Sequence, residues 1–331
     1  MVRLTVIIEW ENVLLAEAER CRRMLHELGT QLIDLHKGHS ELSNQLGQIY
    51  FPIEILIMFD PNDVDQASVQ GTVDRHLVGD AAIRTCRFVP VLGGTYYVLK
   101  NEGARQASGD LLVMLDTDVV PQPGWLRALL QPFADRQIHL VGGQAYLSTD
   151  SIIAKALALS WFFPLRQAGR SLTPKSHFFA NNVACRRHVL LEHPFPSLPG
   201  INRGACTVLA KQLFELGVPA YITTAAEVEH PPPHGFGGVI RRAFAHGRDE
   251  LLSLRRGAPP RKTALMRSVG RAWRMWGRGI RSLMFRRRQV GLSMLELPGA
   301  IGIVSAYYSC YLLGDLGTRM FPTYMRSHFQ V

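Results

Sequence analysis

The sequence predicts an α/β fold organised around a mostly parallel, doubly wound sheet. Three observations predict it. Short apolar runs alternate with helix-like segments through the first third of the chain. The first, second and fourth runs are almost wholly apolar, interrupted only by Thr5 and Glu54, as expected of buried strands. Three of the runs are followed by carboxylates: Glu9 and Glu11, Asp60 and Asp63, Asp116 and Asp118. Sheets of this class bind ligands beyond the carboxyl ends of their strands, so that placement is where function is sought.

The elements follow in order. Residues 4–8 (Leu-Thr-Val-Ile-Ile) form a β-branched run and read as the first strand. Asn12 can cap a helix over residues 13–28, and Gly29 can end it. Residues 53–59 give a second strand that stops at the turn cluster Asp60-Pro61-Asn62-Asp63. Residues 64–77 suit a surface helix, 85–91 a third strand, and 97–107 a helix ended by Gly109. Residues 111–115 form the fourth strand and 126–133 another helix.

The chain has 331 residues, 47% of them apolar, which is enough for a full core and excludes disorder as the dominant state. Its net charge of +10 is unevenly spread: residues 236–288 hold fourteen Arg and one Lys against only Asp249 and Glu250. Such a segment suits phosphates, nucleic acid or an anionic membrane surface. Five cysteines stand singly, which argues against a zinc site or disulfide scaffold and fits a reducing compartment. The apolar run at the start reads as a strand, not a leader. Residues 297–314 carry no charge, a stretch close to the roughly 20 residues needed to cross a bilayer.

Asp116-Thr117-Asp118 is the strongest local signal. Two carboxylates just past a buried strand can face one hard cation, since magnesium and manganese prefer oxygen ligands and bridge carboxylates to substrate phosphates. A solvated turn is the plainer alternative. The surroundings sharpen the first reading: Gly109-Asp110 precede the strand, and Pro121-x-Pro123-x-Trp125-Leu126 follow it.

With these residues the chain resembles family-2 glycosyltransferases. Val6-Ile7-Ile8 with Asn12, the strand into Asp60, Lys100-Asn101-x-Gly103, and Gly109 to Leu126 carry the resemblance, which extends over roughly residues 3–235 and is firmest over 98–126. It implies a GT-A fold, Rossmann-like, with helices flanking the central sheet. It further implies a nucleoside-diphosphate sugar donor of the UDP type, a divalent metal (Mg2+ or Mn2+) and inversion at the anomeric carbon.

The resemblance assigns roles. Asp116, Thr117 and Asp118 attend the metal and diphosphate, with Asp118 nearest the chemistry. Asp60 aligns with the acid that receives the base; a carboxylate can accept the imide N–H of uracil, though a turn-forming Asp before Pro61 is the bland reading. Glu9 and Trp10 fall in the donor region but depart from the usual residues, and Trp10 can stack on a base or fill the core edge. Lys100 and Asn101 match an Arg/Lys-Asn pair near the donor, or lie on a helix surface. Asn181 and Asn182, before Arg186, can hydrogen-bond an acceptor sugar or satisfy turns. His230 follows the last strand of the catalytic half, where an imidazole can join the metal site.

The catalytic base is the departure. Family-2 enzymes place Glu-Asp at the start of a helix ahead of a Leu-x-x-x-Leu pattern. Here Leu209, Leu213 and Gly217 keep the pattern, while the acids are replaced by Ala205 and Cys206. An inverting transfer needs a group to take the acceptor proton. Three alternatives stay open: a base elsewhere (Asp150, Glu192 or His193), a different device, or lost turnover. Arg203 and Cys206 are expected to form a modified acceptor site, or else to cap and pack a helix.

The division expected is a catalytic domain over 1–235, with a donor half of about 1–125 and an acceptor half of 126–235, followed by a helical, basic extension over 236–331. Arg interleaved with Trp, Met and Phe over 268–288 suits a helix in a lipid interface. The expected location is the cytoplasmic face of a membrane, as a surface contact or one C-terminal span. Soluble helices packed on the protein are the alternative, and nucleic acid is not favoured because no binding module is present. There is no Gln-x-x-Arg-Trp motif, so by the resemblance one sugar is added to a glycan or lipid-linked acceptor. The competing classes are a glycosyltransferase-like binding protein without turnover and a nucleotidyltransferase. Nothing in the sequence sets the oligomeric state.

Overall fold

The computed structural model describes residues 2–11, 18–38, 46, 48–197, 204–254 and 264–328. The predicted cap Asn12 and the acceptor-site candidate Arg203 lie outside them. The chain divides into two compact units.

The first unit comprises Met1–Ala145, Arg166–Ser197 and Ala205–His230. Its sheet is α/β as expected. Strands β1 (Leu4–Glu9), β2 (Ile53–Phe59), β3 (Arg84–Pro90) and β4 (Leu111–Asp116) are parallel, in the order β3-β2-β1-β4. β1 and β4 are buried along their whole length, which is why both read as nearly continuous apolar runs, interrupted only by Thr5 and closed by Glu9 and Asp116. Beyond β4 the sheet continues with β8 (Asn182–Arg186) antiparallel to it, then β6 (Leu140–Leu147) and β9 (Ala220–His230). Two short strands, β5 (Val120–Pro121) and β7 (Leu172–Lys175), pair antiparallel with β9.

Helices α1 (Ala18–Lys37), α2 (Gln66–His76), α3 (Tyr96–Gln106) and α4 (Trp125–Leu130) flank the parallel strands. Next in chain order is α5 (Ile152–Ser160), which belongs to the second unit; α6 (Arg187–Glu192) and α7 (Ala205–Glu215) complete the first. The first helix does not stop at Gly29, as predicted, but runs on to Lys37. Gly29 serves packing instead: a Cβ there would come within 2.5 Å of the Val78 carbonyl oxygen. Gly109 has a similar role, because a Cβ would reach the Thr5 hydroxyl at 2.6 Å. Its partner Asp110 accepts from the Arg3 amide at 3.1 Å. The Gly-Asp pair therefore fastens β4 to β1 at the amino ends of the strands, away from the carboxylates. A cavity of about 340 Å³ lined by Asp110, Arg186 and Arg187 opens at that same rim. Its arginines are committed to backbone carbonyls of Ile138 and Ala104, at 3.1 and 3.0 Å.

The second unit comprises Tyr146–Leu165, Leu198–Gly204 and Pro231–Val331. It is helical: α5, α8 (Gly235–Leu254), α9 (Ala264–Arg286), α10 (Leu297–Met320) and α11 (Pro322–His328). Helices α8 and α10 touch backbone to backbone. A Cβ at Gly247 would overlap the Tyr311 carbonyl, and one at Gly314 would overlap that of Phe244. Asp315 on α10 is fully buried. Arg319 donates to it at 2.6 Å and Ser268 of α9 at 2.8 Å.

His246 of α8 sits among Phe162, Tyr307 and Tyr311, with its Nδ1 3.0 Å from the Tyr307 hydroxyl. Burial first, then the Arg242 charge, bring its pKa down to about 4. An unfolded imidazole titrates near 6.5. Between pH 6.5 and 4 the unfolded chain therefore takes a proton that the folded chain refuses, and stability falls as pH falls. The residue keeps some exposure, which trims the expected loss to about 2 kcal/mol. Thermal unfolding across this range should show that slope, and His246→Asn should flatten it.

Candidate active site at the carboxyl rim of the sheet

Register places the acids. Glu9 ends β1 and pairs with Asp116, the last residue of β4. Both lie in the sheet with almost no exposure. Lys100, on α3 and fully buried, donates to Asp116 Oδ1 at 2.6 Å. Tyr96 donates its hydroxyl to Oδ2 at 2.8 Å. Asp116 is thus held by two side chains one helical turn apart, and Tyr96 is the partner that sequence reasoning missed. Its signal was available: positions i and i+4 of a helix share a face. The same geometry puts Lys100 over the Tyr96 ring, 4.6 Å from its centroid.

The acids outnumber this cation. Burial, then repulsion from Asp116, push Glu9 well above the usual carboxylate range, with Lys100 opposing and Glu11 and Asp118 adding to the rise. Burial also raises Asp116, against the pull of Lys100 and with Asp118 reinforcing it. The rim is an electronegative pocket of the kind that a hard cation relieves.

Asp118 and His230 face one another. β5 pairs Val120 with Glu229 of β9, which draws the end of β9 alongside the Asp118 turn. Glu229 is in turn fixed by Arg20 of α1 at 2.9 Å. His230 Nε2 consequently lies 3.7 Å from Asp118 Oδ2. Between the two acids, the hydroxyl of Thr117 is buried and has no hydrogen-bond partner among the described residues.

Asp60 follows β2 and keeps a little exposure. Its oxygens accept the amides of Asn62 at 2.9 Å and Gly94 at 3.0 Å. It is a turn-former that also ties down the loop before α3, and each oxygen retains capacity for a further donor.

Several expected site residues have other work. Asn182 is fully buried. Its Oδ1 accepts from Trp125 Nε1 at 2.7 Å, and its Nδ2 donates to the carbonyls of Gln144 and Ala226 at 3.2 and 3.0 Å. It links β8, β6, β9 and α4, and no surface is left to meet an acceptor. Asn101 is likewise structural: it pairs with both backbone groups of Phe195, at 2.9 Å each. Trp10 is buried, with 3% exposure, and fills the core edge rather than offering a stacking platform. Asn181 differs from its neighbour, since its buried Oδ1 has no hydrogen-bond partner among the described residues.

Cys206 stands in the first turn of α7, where no acidic residue occurs. The Tyr97 hydroxyl lies 3.4 Å from both its Sγ and its amide. Tyr97 packs edge-on against Tyr96 with centroids 4.7 Å apart. Cys206 and Asp116 are thus approached by adjacent tyrosines of one helix. No three His, Cys, Asp or Glu side chains converge as a complete metal cage among the described residues.

The family model for glycosyl transferase family 2 matches residues 98–193, from α3 through the Asp116–Asp118 turn to the end of α6. A mannosyltransferase from Pyrobaculum calidifontis, solved with GDP-Man and Mn2+, has a similar fold. The likeness covers 98% of this chain and 88% of that one at 16% identity, with a TM-score of 0.53. The chain carries a family-2 segment on a GT-A fold. The matched segment of this GT-A sheet contains Lys100, Asn101, both acids of the Asp-x-Asp turn, and Asn182. GalNAc-T7, solved with UDP, GalNAc and Mn2+, is similar over 78% of this chain and 52% of its own, at 12% identity and a TM-score of 0.49. The chain thus spans about half of that structure. TarS residues 1–349 of S. aureus are similar over 96% and 91% of the two chains, at 10% identity and a TM-score of 0.44. No curated protein matches the sequence.

Proposed function

We propose that the chain transfers one sugar from a nucleoside-diphosphate donor, UDP-linked by the sequence resemblance, to a glycan or lipid-linked acceptor, with inversion. The observation that carries this is the meeting of Asp118 and His230 at 3.7 Å beside the held carboxylate of Asp116. The residues fit a divalent cation: the rim has excess negative charge, a carboxylate and an imidazole side by side, and a buried hydroxyl without a hydrogen-bond partner among the described residues. Magnesium or manganese commonly takes one or two protein ligands and completes its shell with substrate phosphates, so a full protein cage is not required. The mannosyltransferase whose fold is similar was solved with Mn2+ and a nucleotide sugar.

Asp118 and His230 would hold the metal. Lys100 and Tyr96 orient Asp116, one donor on each oxygen, and each oxygen keeps a lone pair with which Asp116 would join Asp118 and His230. When bound, the cation would neutralise the diphosphate as it leaves. Asp60 keeps acceptor capacity for a base N–H, and Glu9 lies buried beneath the site. On the acceptor side stand Asn181, Cys206 and Tyr97, with Arg203 as a further candidate. A second reading has one observation in its favour: the first turn of α7 offers no carboxylate to act as base. In that reading the chain binds sugar nucleotides without transferring them.

The test is release of nucleoside diphosphate from a panel of UDP- and GDP-sugars, with lipid-linked and glycan acceptors, before and after chelation. Metal-dependent release raised by one acceptor class is the expected result. Metal-dependent binding without release on any acceptor would favour the second reading, and no metal-dependent nucleotide binding at all would end the first.

A further inference from the structure

Helix α9 presents three faces. Ser268, Ala272, Gly279 and Leu283 are buried against the unit. Beside them runs an exposed apolar stripe, with Leu265, Val269, Trp273 and Met284 spaced at helical repeats and Trp273 68% exposed. Next comes a stripe of Arg267, Arg271, Arg274, Arg278 and Arg281, spaced four and three residues apart. All but Arg271 of these are exposed. In the last turn of the helix Phe285, its ring under the Arg281 guanidinium, is 81% exposed, and beyond the helix Leu295 is 95% exposed. Water alone gives no reason for so much apolar surface on one helix, and a row of arginines beside it sets the chemistry of the cover.

Helix α10 is the one described helix long and apolar enough to cross a membrane. Its surroundings argue otherwise. It meets α8 backbone to backbone at Gly247 and Gly314. It also carries buried Asp315, bonded to Ser268 of α9 and to Arg319. Crossing a bilayer would strip those partners and leave a carboxylate in hydrocarbon.

We propose that α9 lies flat in the interface of an anionic phospholipid membrane, with its apolar stripe among the acyl chains and its arginines on the head groups, while α10 remains a core helix of the unit. An in-plane helix has this combination of a broad apolar face and a cationic flank. The partner follows from charge complementarity, and the proposal does not rest on the donor reading.

The experiment is co-sedimentation of the full chain with vesicles of phosphatidylcholine, alone or with roughly one-third phosphatidylglycerol. Binding to the anionic vesicles only, weakened by salt, is expected. The pair Arg278→Glu and Arg281→Glu should lower partitioning roughly tenfold or more, and Trp273→Ser with Met284→Ser should lower it comparably. All four positions are surface-facing, and unchanged thermal unfolding checks the fold. Replacing the same two arginines by lysine should restore binding. Alkaline carbonate should release the protein. Failure of the wild-type chain to sediment, equal binding by the charge-reversed variant, or retention through carbonate would each overturn the proposal.

Discussion

Replacing Asp118 with alanine is expected to lower donor turnover by about 10²–10³-fold while leaving the fold intact. The turnover loss follows from geometry. Asp118 Oδ2 faces His230 at 3.7 Å, and with that carboxylate gone the imidazole and Asp116, whose oxygens Lys100 and Tyr96 share, cannot hold a hard dication that prefers oxygen. The diphosphate would then leave without its charge neutralised. The fold should survive because Asp118 adds to the repulsion on Asp116 and Glu9, which its removal relieves. Two measurements separate these effects: thermal stability without metal, and the stabilisation by UDP or GDP that depends on Mn2+. The first should hold or rise slightly and the second should vanish. If Asp118→Ala keeps its Mn2+-dependent nucleotide binding, the cation does not sit at this turn.

Lys100→Met is expected to have the opposite profile, damaging the fold itself by about 3–5 kcal/mol. Its ammonium lies 2.6 Å from Asp116 with both side chains buried. A buried pair brings little net stability, but removing one partner leaves the other's charge uncompensated in a medium that cannot solvate it. Glu9 makes the loss worse, since Lys100 opposes the repulsion between the two acids. Arg105→Met on the same helix is the control. Its bond to Glu102 is as short, at 2.5 Å, but the Arg105 side chain is 61% exposed, and such pairs contribute about 0–1 kcal/mol. Urea unfolding of the two variants should separate them clearly. Equal midpoints would mean that the Lys100–Asp116 pair does not hold the rim.

Much of the parallel part of the sheet was legible because its signals are local. The strands ending at Phe59 and Asp116 are runs whose length and apolar character reflect burial on both faces, and backbone geometry then puts the turn residues after each strand at the carboxyl rim. Polar residues were less legible. Asn101 and Asn182 look like sugar-binding groups in a linear pattern, yet their partners are Phe195, 94 residues away, and Trp125, 57 residues away. An amide advertises that it will bond to something, and only the packed chain shows to what. Gly29 failed for a related reason: a glycine past a periodic segment resembles a stop, while here it makes room for Val78.

The sequence by itself determined that this is an α/β sheet with acids at its strand ends and arginines gathered near its C-terminal end, because periodicity, apolar runs and turn residues act over a few neighbours. Tertiary structure alone decided which acid is tied down and which faces His230, and placed α10 in a core despite its apolar composition. Those outcomes depend on distances between segments far apart in the chain, where burial and unshared charge, rather than residue type, set what each group can do.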